Sequence, residues 1–177
     1  MAGDTPSTRA PNGFVDLARP KLQRLMLPRE DVLQIASHAS EWMTLYHALF
    51  PAFFAFRTGD ELVVHYDRMH DAGVDPVTLA VYLLSIAITA QQIPSNSVPA
   101  RFYRGQGVPR YVQAVCRTIE HTIVGNDAFV GSVDGLEAAM LYLRLYVSQP
   151  CSSQQMLLTI DCVSAGHWAG RACELHG

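Results

Sequence analysis

The stretch DPVTLAVYLLSIAITAQQI, residues 75–93, decides the fold. Asp75 followed by Pro76 reads as a helix start, because the carboxylate can accept from the first free N–H groups and proline at the first helical position loses no hydrogen bond. Beyond it Leu79, Leu83, Ile86, Ala90 and Ile93 share one helical face, while Val77, Val81, Leu84 and Ile88 share another. A helix apolar on most sides belongs in the middle of a fold. Its one polar line, Thr78, Tyr82, Ser85 and Thr89, is free to face water, a neighbouring helix or a cavity. The run 79–90 is too short to span a bilayer, which takes roughly 20 apolar residues.

Working toward the N-terminus, Asp60 opens a second helical pattern of Leu62, Val63, Tyr66 and Met69 that stops at Gly73, a glycine placed as a C-terminal cap. Before it, residues 29–50 carry Val32, Ile35, Ala39, Trp42, Met43 and Tyr46 at helical spacing, with Glu30 and Asp31 in the first turn and Pro51 at the end. This pattern predicts one helix of about five turns. Residues 14–27 contain Pro20 and end at Pro28, so at most a short helical turn is expected there. Residues 1–13 are polar and rich in proline and glycine, with no apolar run of the kind a secretory signal needs. Residues 1–27 therefore read as a disordered or linker tail, and 28–177 as the helical domain.

Toward the C-terminus, residues 94–109 form the longest expected loop, basic and aromatic through Arg101, Phe102, Tyr103, Arg104 and Arg110. Such a loop can pair with phosphates and stack on bases, but a solvated connection with one aromatic pinned to the core is the commoner arrangement. A fourth helix over 111–124 presents Val112, Val115, Cys116, Ile119 and Ile123 and closes at Gly125. In residues 132–146 Asp134 can cap a fifth helix, with Glu137 completing a capping box and Leu136, Met140, Leu143 and Val147 on one face. After Pro150, with Ser152 and Ser153 as capping candidates, a sixth helix over 154–176 lines up Leu157, Ile160, Ser164, Trp168, Ala172 and Leu175. Gly166 and Gly170 leave a flat patch on it where a partner helix could approach. No segment alternates with period two, so the expected fold is all-α, an irregular bundle of about six helices.

Composition excludes some functions. The 177 residues, 49% hydrophobic, suffice for one sizeable core. A net charge of −3 lacks the basic excess of a self-sufficient nucleic-acid binder, so any DNA contact calls for another module. Cys116, Cys151, Cys162 and Cys173 contain no CxxC pair and read as small packing residues of a soluble intracellular protein. Asp67, His70, Asp71 and Asp75 cluster, but near a helix C-terminus and without a second acidic helix, so a solvated polar face is expected rather than a cation site. The seven histidines are scattered, and Gly105-Gln106-Gly107 is followed by Val108 and Pro109, which spoils a phosphate-binding turn. No residue is assigned a catalytic, metal-binding or cofactor-binding role.

Three stretches together resemble the middle homology region of fungal zinc-cluster transcription factors, a regulatory domain found downstream of a six-cysteine DNA-binding module. His47-Ala48-Leu49-Phe50-Pro51 is similar to the family's H-P-L-F-P turn, and residues 75–87 are similar to its helix of small and aliphatic residues. Ser132-Val133-Asp134-Gly135-Leu136-Glu137-Ala138-Ala139-Met140-Leu141 resembles the motif "S-hydrophobic-x-x-hydrophobic-Q-A-hydrophobic-L", followed at the family's distance by a helix around Trp168, Ala172 and Leu175. Glu137 stands where the family has Gln, His176 stands where it has Gly, and the chain stops before the family's closing L-H-R. The resemblance covers residues 27–177. It implies an all-α regulatory domain of a nuclear transcription factor, here without its zinc module, working with a protein partner or full-length regulator and sometimes answering to a small effector. A fragment, a truncated product or a descendant that lost DNA binding is the expectation. The alternative is a small helical enzyme or carrier for an apolar metabolite, suggested by the hydroxyl line of residues 78–89.

Overall fold

In the computed structural model the described residues are 12–49, 55–94, 102–126, 129 and 131–148. They contain eight α-helices and no strand. The helices are α1 (Asn12–Gln23), α2 (Arg29–Ala36), α3 (Ser40–Leu49), α4 (Gly59–Val64), α5 (Pro76–Gln92), the four-residue α6 (Phe102–Gly105), α7 (Gly107–Ile119) and α8 (Val133–Val147). A 3-10 turn, Asp67–His70, follows α4, and a π turn, Glu120–Val124, ends α7. The all-α class read from the sequence is correct. No helix among the described residues is long and apolar enough to cross a membrane.

The fold is built around α5. Its Asp75 carboxylate accepts from the backbone N–H groups of Val77 and Thr78, both at 3.0 Å, with Pro76 in the first turn as expected. Pro76, Val77 and every residue from Leu79 to Ala90 are buried, and α1, α2, α7 and α8 all pack against this helix. Beyond Thr78, which is half-buried beside the Asp75 cap, the hydroxyl line of Tyr82, Ser85 and Thr89 is buried. Tyr82 donates to the Leu62 carbonyl at 2.8 Å, while Thr89 donates to the Ser85 carbonyl at 2.8 Å and accepts from the Trp42 indole at 2.9 Å. These bonds remove the cost of burying hydroxyls, and they tie α3 and α4 to the central helix.

Several expectations are corrected. Residues 12–27 are not tail: α1 buries Ala18 and Leu22, the turn after it buries Leu25 and Leu27, and Arg19 Nε donates to the Val74 carbonyl at 2.8 Å. Pro20 sits inside α1 on its exposed side, so the hydrogen bond it cannot donate is lost at a wet position. Residues 29–50 are not one helix but α2 and α3, broken at residues 37–39. There Ser37 Oγ donates to the Gln34 carbonyl at 2.7 Å, and the N–H groups of His38 and Ala39 turn back to Ile35 and Ala36 with 3-10 spacing. The break brings the end of α2 against Gly59, where a Cβ would lie 2.1 Å from the Ala36 carbonyl oxygen.

Helix α8 starts at Val133, and its cap is Ser132 rather than Asp134. Its inward face is Gly135, Glu137, Ala138, Leu141, Tyr142 and Leu145. The stripe expected to be the apolar face turns outward, with Leu136, Leu143 and Val147 exposed. The buried face carries the small residues Gly135 and Ala138, which allow close packing, and α8 packs on α5. Helix α7 begins at Gly107, inside the segment expected to be loop, and ends in the π turn, where the Gly125 N–H reaches the Glu120 carbonyl at 2.8 Å. Cys116 is a buried thiol of α7. Residues 1–11 and 149–177 lie outside the described residues, and with them the expected sixth helix, Trp168, Ala172, Leu175, the Gly166/Gly170 patch, Cys151, Cys162 and Cys173.

The close approach at Gly59 generates a prediction. Gly59→Ala should destabilise the domain by about 1–3 kcal/mol, because α2 must shift to admit the methyl. Gly73→Ala, where a Cβ meets nothing within 4 Å, should stay within about 0.5 kcal/mol of wild type in urea denaturation. Equal effects of the two substitutions would refute the tight α2–α4 junction.

Candidate functional site

The residues carried by the family resemblance are placed as follows. Phe50, Pro51, Trp168, Ala172 and Leu175 lie outside the described residues. Ser132 Oγ accepts from the Gly135 N–H at 3.0 Å and donates to the Phe129 carbonyl at 3.0 Å, closing the turn into α8. Ala138 is fully buried in the core.

Glu137 does not close a capping box. It is 4% exposed, and its Oε1 accepts from the Ala55 N–H at 2.8 Å across 82 residues of sequence. Burial pushes its carboxyl up to about 7; the Ala55 hydrogen bond opposes that rise, and the negative charge of Asp134 adds to it. A carboxyl that keeps its proton up to neutral pH offers one acceptor oxygen to Ala55 and carries no charge, as a glutamine amide does. The departure from the family's Gln is thus chemically small.

A second cluster joins α3 to α8. The Arg144 guanidinium lies over both the Trp42 ring at 4.6 Å and the Tyr46 ring at 4.3 Å, and those rings meet edge to face at 5.8 Å. Burial pulls the Arg144 pKa down, while Tyr46 acts in the opposite sense. Cation–π pairing of this kind contributes about 0.5–2 kcal/mol per contact. It acts as a clamp, with the charge held between rings.

A groove of about 490 Å³ is bounded by the end of α1, the start of α2, the 3-10 turn and α6. Asp31 of α2, only 5% exposed, lines it. Arg24, Glu30 and Arg104, all exposed, also line it. Tyr66 and Tyr103 form walls; Tyr66 is held by a 3.0 Å bond to the Leu27 carbonyl and by the His70 ring at 4.7 Å.

Backbone geometry delivers the α6 residues to this groove. Tyr103 (φ 46°, ψ 57°) and Arg104 (φ 58°, ψ 31°) are both left-handed, and Gly105 continues the turn at φ 77°. Left-handed backbone at two successive side-chain-bearing residues costs about 1–3 kcal/mol each and persists only where packing enforces it. Phe102, 1% exposed, and the edge-to-face contacts of Phe102 and Tyr103 with buried Tyr111 supply that packing.

The sequence singled out Tyr103, Arg104 and His70 but not the groove that joins them, and it gave Asp31 only a dipole role. Which residues line one groove is a question of tertiary geometry, and no local signal carries it. The acidic cluster disperses: Asp67 pairs with Arg29 at 3.4 Å, His70 Nδ1 lies 3.1 Å from the Tyr66 carbonyl, and Asp75 caps α5. Among the described residues no three His, Cys, Asp or Glu side chains converge as metal ligands. The hydroxyls of Thr78, Tyr82 and Thr89, which suggested an apolar ligand, are engaged by Asp75, Leu62 and Ser85.

The Glu137 site generates a pH prediction. Its folded pKa lies above the unfolded value, so the stability it confers is complete below about pH 4.5 and is lost as pH rises through about 7. Wild type should lose on the order of 1–2 kcal/mol over that window, less than a fully dry carboxylate would cost because water screens part of the charge. Glu137→Gln should remove that component, which melting curves at pH 5 and pH 8 will read, and an unchanged slope would refute the assignment. No family model, curated protein or solved structure matches this chain.

Proposed function

We propose that this chain is a regulatory domain of the fungal zinc-cluster transcription-factor type, acting in transcription regulation in the nucleus. Its chemistry is that of a helical interaction and response module. DNA is reached through a protein partner or a separate zinc module.

The observation that carries the reading is the bond between Ala55 and Glu137. The aromatic segment after the Phe50-Pro51 motif and the motif helix bearing Ser132, Glu137 and Ala138 are far apart in sequence, and the resemblance alone gives no reason for them to meet. Glu137 joins them, and the third resembling stretch, α5, packs directly against the motif helix. The residue making the bond occupies the position where the family has Gln, a side chain able to accept the same N–H. The motif residues thus support the reading as a structural set rather than as separate likenesses.

The test is a reporter assay and a localisation assay on the full chain. Fused to a heterologous DNA-binding domain, it should change transcription of a reporter carrying the cognate site by several-fold, and a fluorescent fusion should accumulate in the nucleus. A fusion confined to the cytosol together with a reporter indistinguishable from the DNA-binding domain alone would overturn the proposal.

A further inference from the structure

We propose that the outward face of α8 is a self-association surface, on which a second copy of this chain docks by antiparallel, two-fold pairing of one α8 with the other. This goes beyond the regulatory reading and does not rest on it, because association of the chain is measured without any gene.

A helix face turned to water is ordinarily polar. On α8 the exposed residues between Gly135 and Val147 are Leu136, Leu143, Tyr146 and Val147, every one a large apolar side chain. The two charges in that span are drawn away from the face: Glu137 is buried and bonded to Ala55, and Arg144 lies over the Trp42 and Tyr46 rings. Helix α8 therefore carries apolar residues on its outer side as well as its inner one. Central α5 does the same and is buried from Leu79 to Ala90, whereas α8 keeps one apolar side open. Exposed apolar residues gathered in one stripe, unlike the same residues scattered singly, mark an interaction surface.

The spacing says what fits. Leu136, Met140, Leu143 and Val147 follow one another at four, three and four residues, the seam spacing by which one helix packs along another. The stripe is also its own complement when reversed. About a midpoint between Leu141 and Tyr142, Leu136 of one copy falls opposite Val147 of the other, and Met140 opposite Leu143. An antiparallel copy thus leaves no seam residue unmatched, as an isologous two-fold contact requires. A face without charge selects neither an acidic nor a basic partner, and it does not repel an identical one. With Val133, 64% exposed, the stripe offers roughly 250–400 Å² of apolar surface. That is the apolar share of an interface at the small end of the range, about 600 Å² per copy, so the matching product is a weak, reversible dimer.

The experiment is sedimentation equilibrium of the full chain from about 1 to about 200 μM, over which the mass should rise from one chain toward two with a Kd on the order of 10 μM. Leu143→Glu should weaken association about tenfold or more, while Val64→Glu, at a still more exposed apolar position on α4, should leave it unchanged. Leu136→Lys and Val147→Glu should each weaken association alone, and an equimolar mixture of the two should regain it, because antiparallel pairing sets lysine against glutamate. All these positions are exposed, and far-UV circular dichroism checks that each variant is folded; should Leu143→Glu unfold, the mixing experiment carries the test. The proposal is overturned if the chain stays a monomer throughout, if Leu143→Glu associates like wild type, or if the mixture associates no better than its components. A monomer destabilised by Leu143→Glu would mean that the face is covered within the chain, and a monomer unaffected by it would leave the face to a different protein. Either result excludes the second copy.

Discussion

Helix α5 has no wet face between Leu79 and Ala90, and that constraint organises the domain. A helix of this kind gains nothing from amphipathic docking on one side; it needs cover all round, and each covering helix is selected by what it can offer a crowded partner. Helix α8 offers Gly135 and Ala138, and α7 offers the Val112, Val115, Ile119 stripe with Tyr111 beside it. The turn after α1 adds Leu25 and Leu27. The hydroxyls carried by α5 are consistent with this: Tyr82 and Thr89 are paired because water cannot reach them, and their partners, Leu62 and Trp42, are thereby fixed in place.

What was legible in the sequence follows from the same constraint. Asp75-Pro76 states its own cap and first turn, and an apolar content on two faces states its own burial, so α5 needed no tertiary information. Gly125 likewise ends a segment whose periodicity is unambiguous. Helix α8 is the opposite case: Leu136, Leu143 and Val147 make the larger apolar stripe, but the face with Gly135 and Ala138 is the buried one. Hydrophobic periodicity weighs bulk and is blind to the depth at which two backbones can approach.

The other misreadings were places where tertiary contact overrode a local rule. Proline at position 20 suggested a linker, yet burial of Ala18 and Leu22 recovers more than the one hydrogen bond it removes, at a position facing water. Residues 29–50 keep helical periodicity throughout, and the break at 37–39 is set by a neighbour, since Gly59 comes close enough to the end of α2 that a methyl would collide with its last carbonyl. Glu137 was placed in a local capping box because its acceptor chemistry fits one. Its actual donor, the Ala55 N–H, satisfies the same chemistry from the far side of the sequence.

The groove shows how far such an inversion extends toward function. Its lining comes from elements that local sequence reading assigned to a helix dipole and to a solvated loop; the first assignment holds, and the second misses α6 and the start of α7. Asp31 does lie in the first turn of α2, and Phe102 is indeed pinned to the core. Anchoring Phe102 is what permits Tyr103 and Arg104 to be left-handed: the strain at two residues is held by ring contacts to Tyr111, which is buried beside α5. The central helix therefore bears on the groove at second hand. It fixes the α7 face, the α7 face fixes the turn, and the turn sets Tyr103 and Arg104 along the groove.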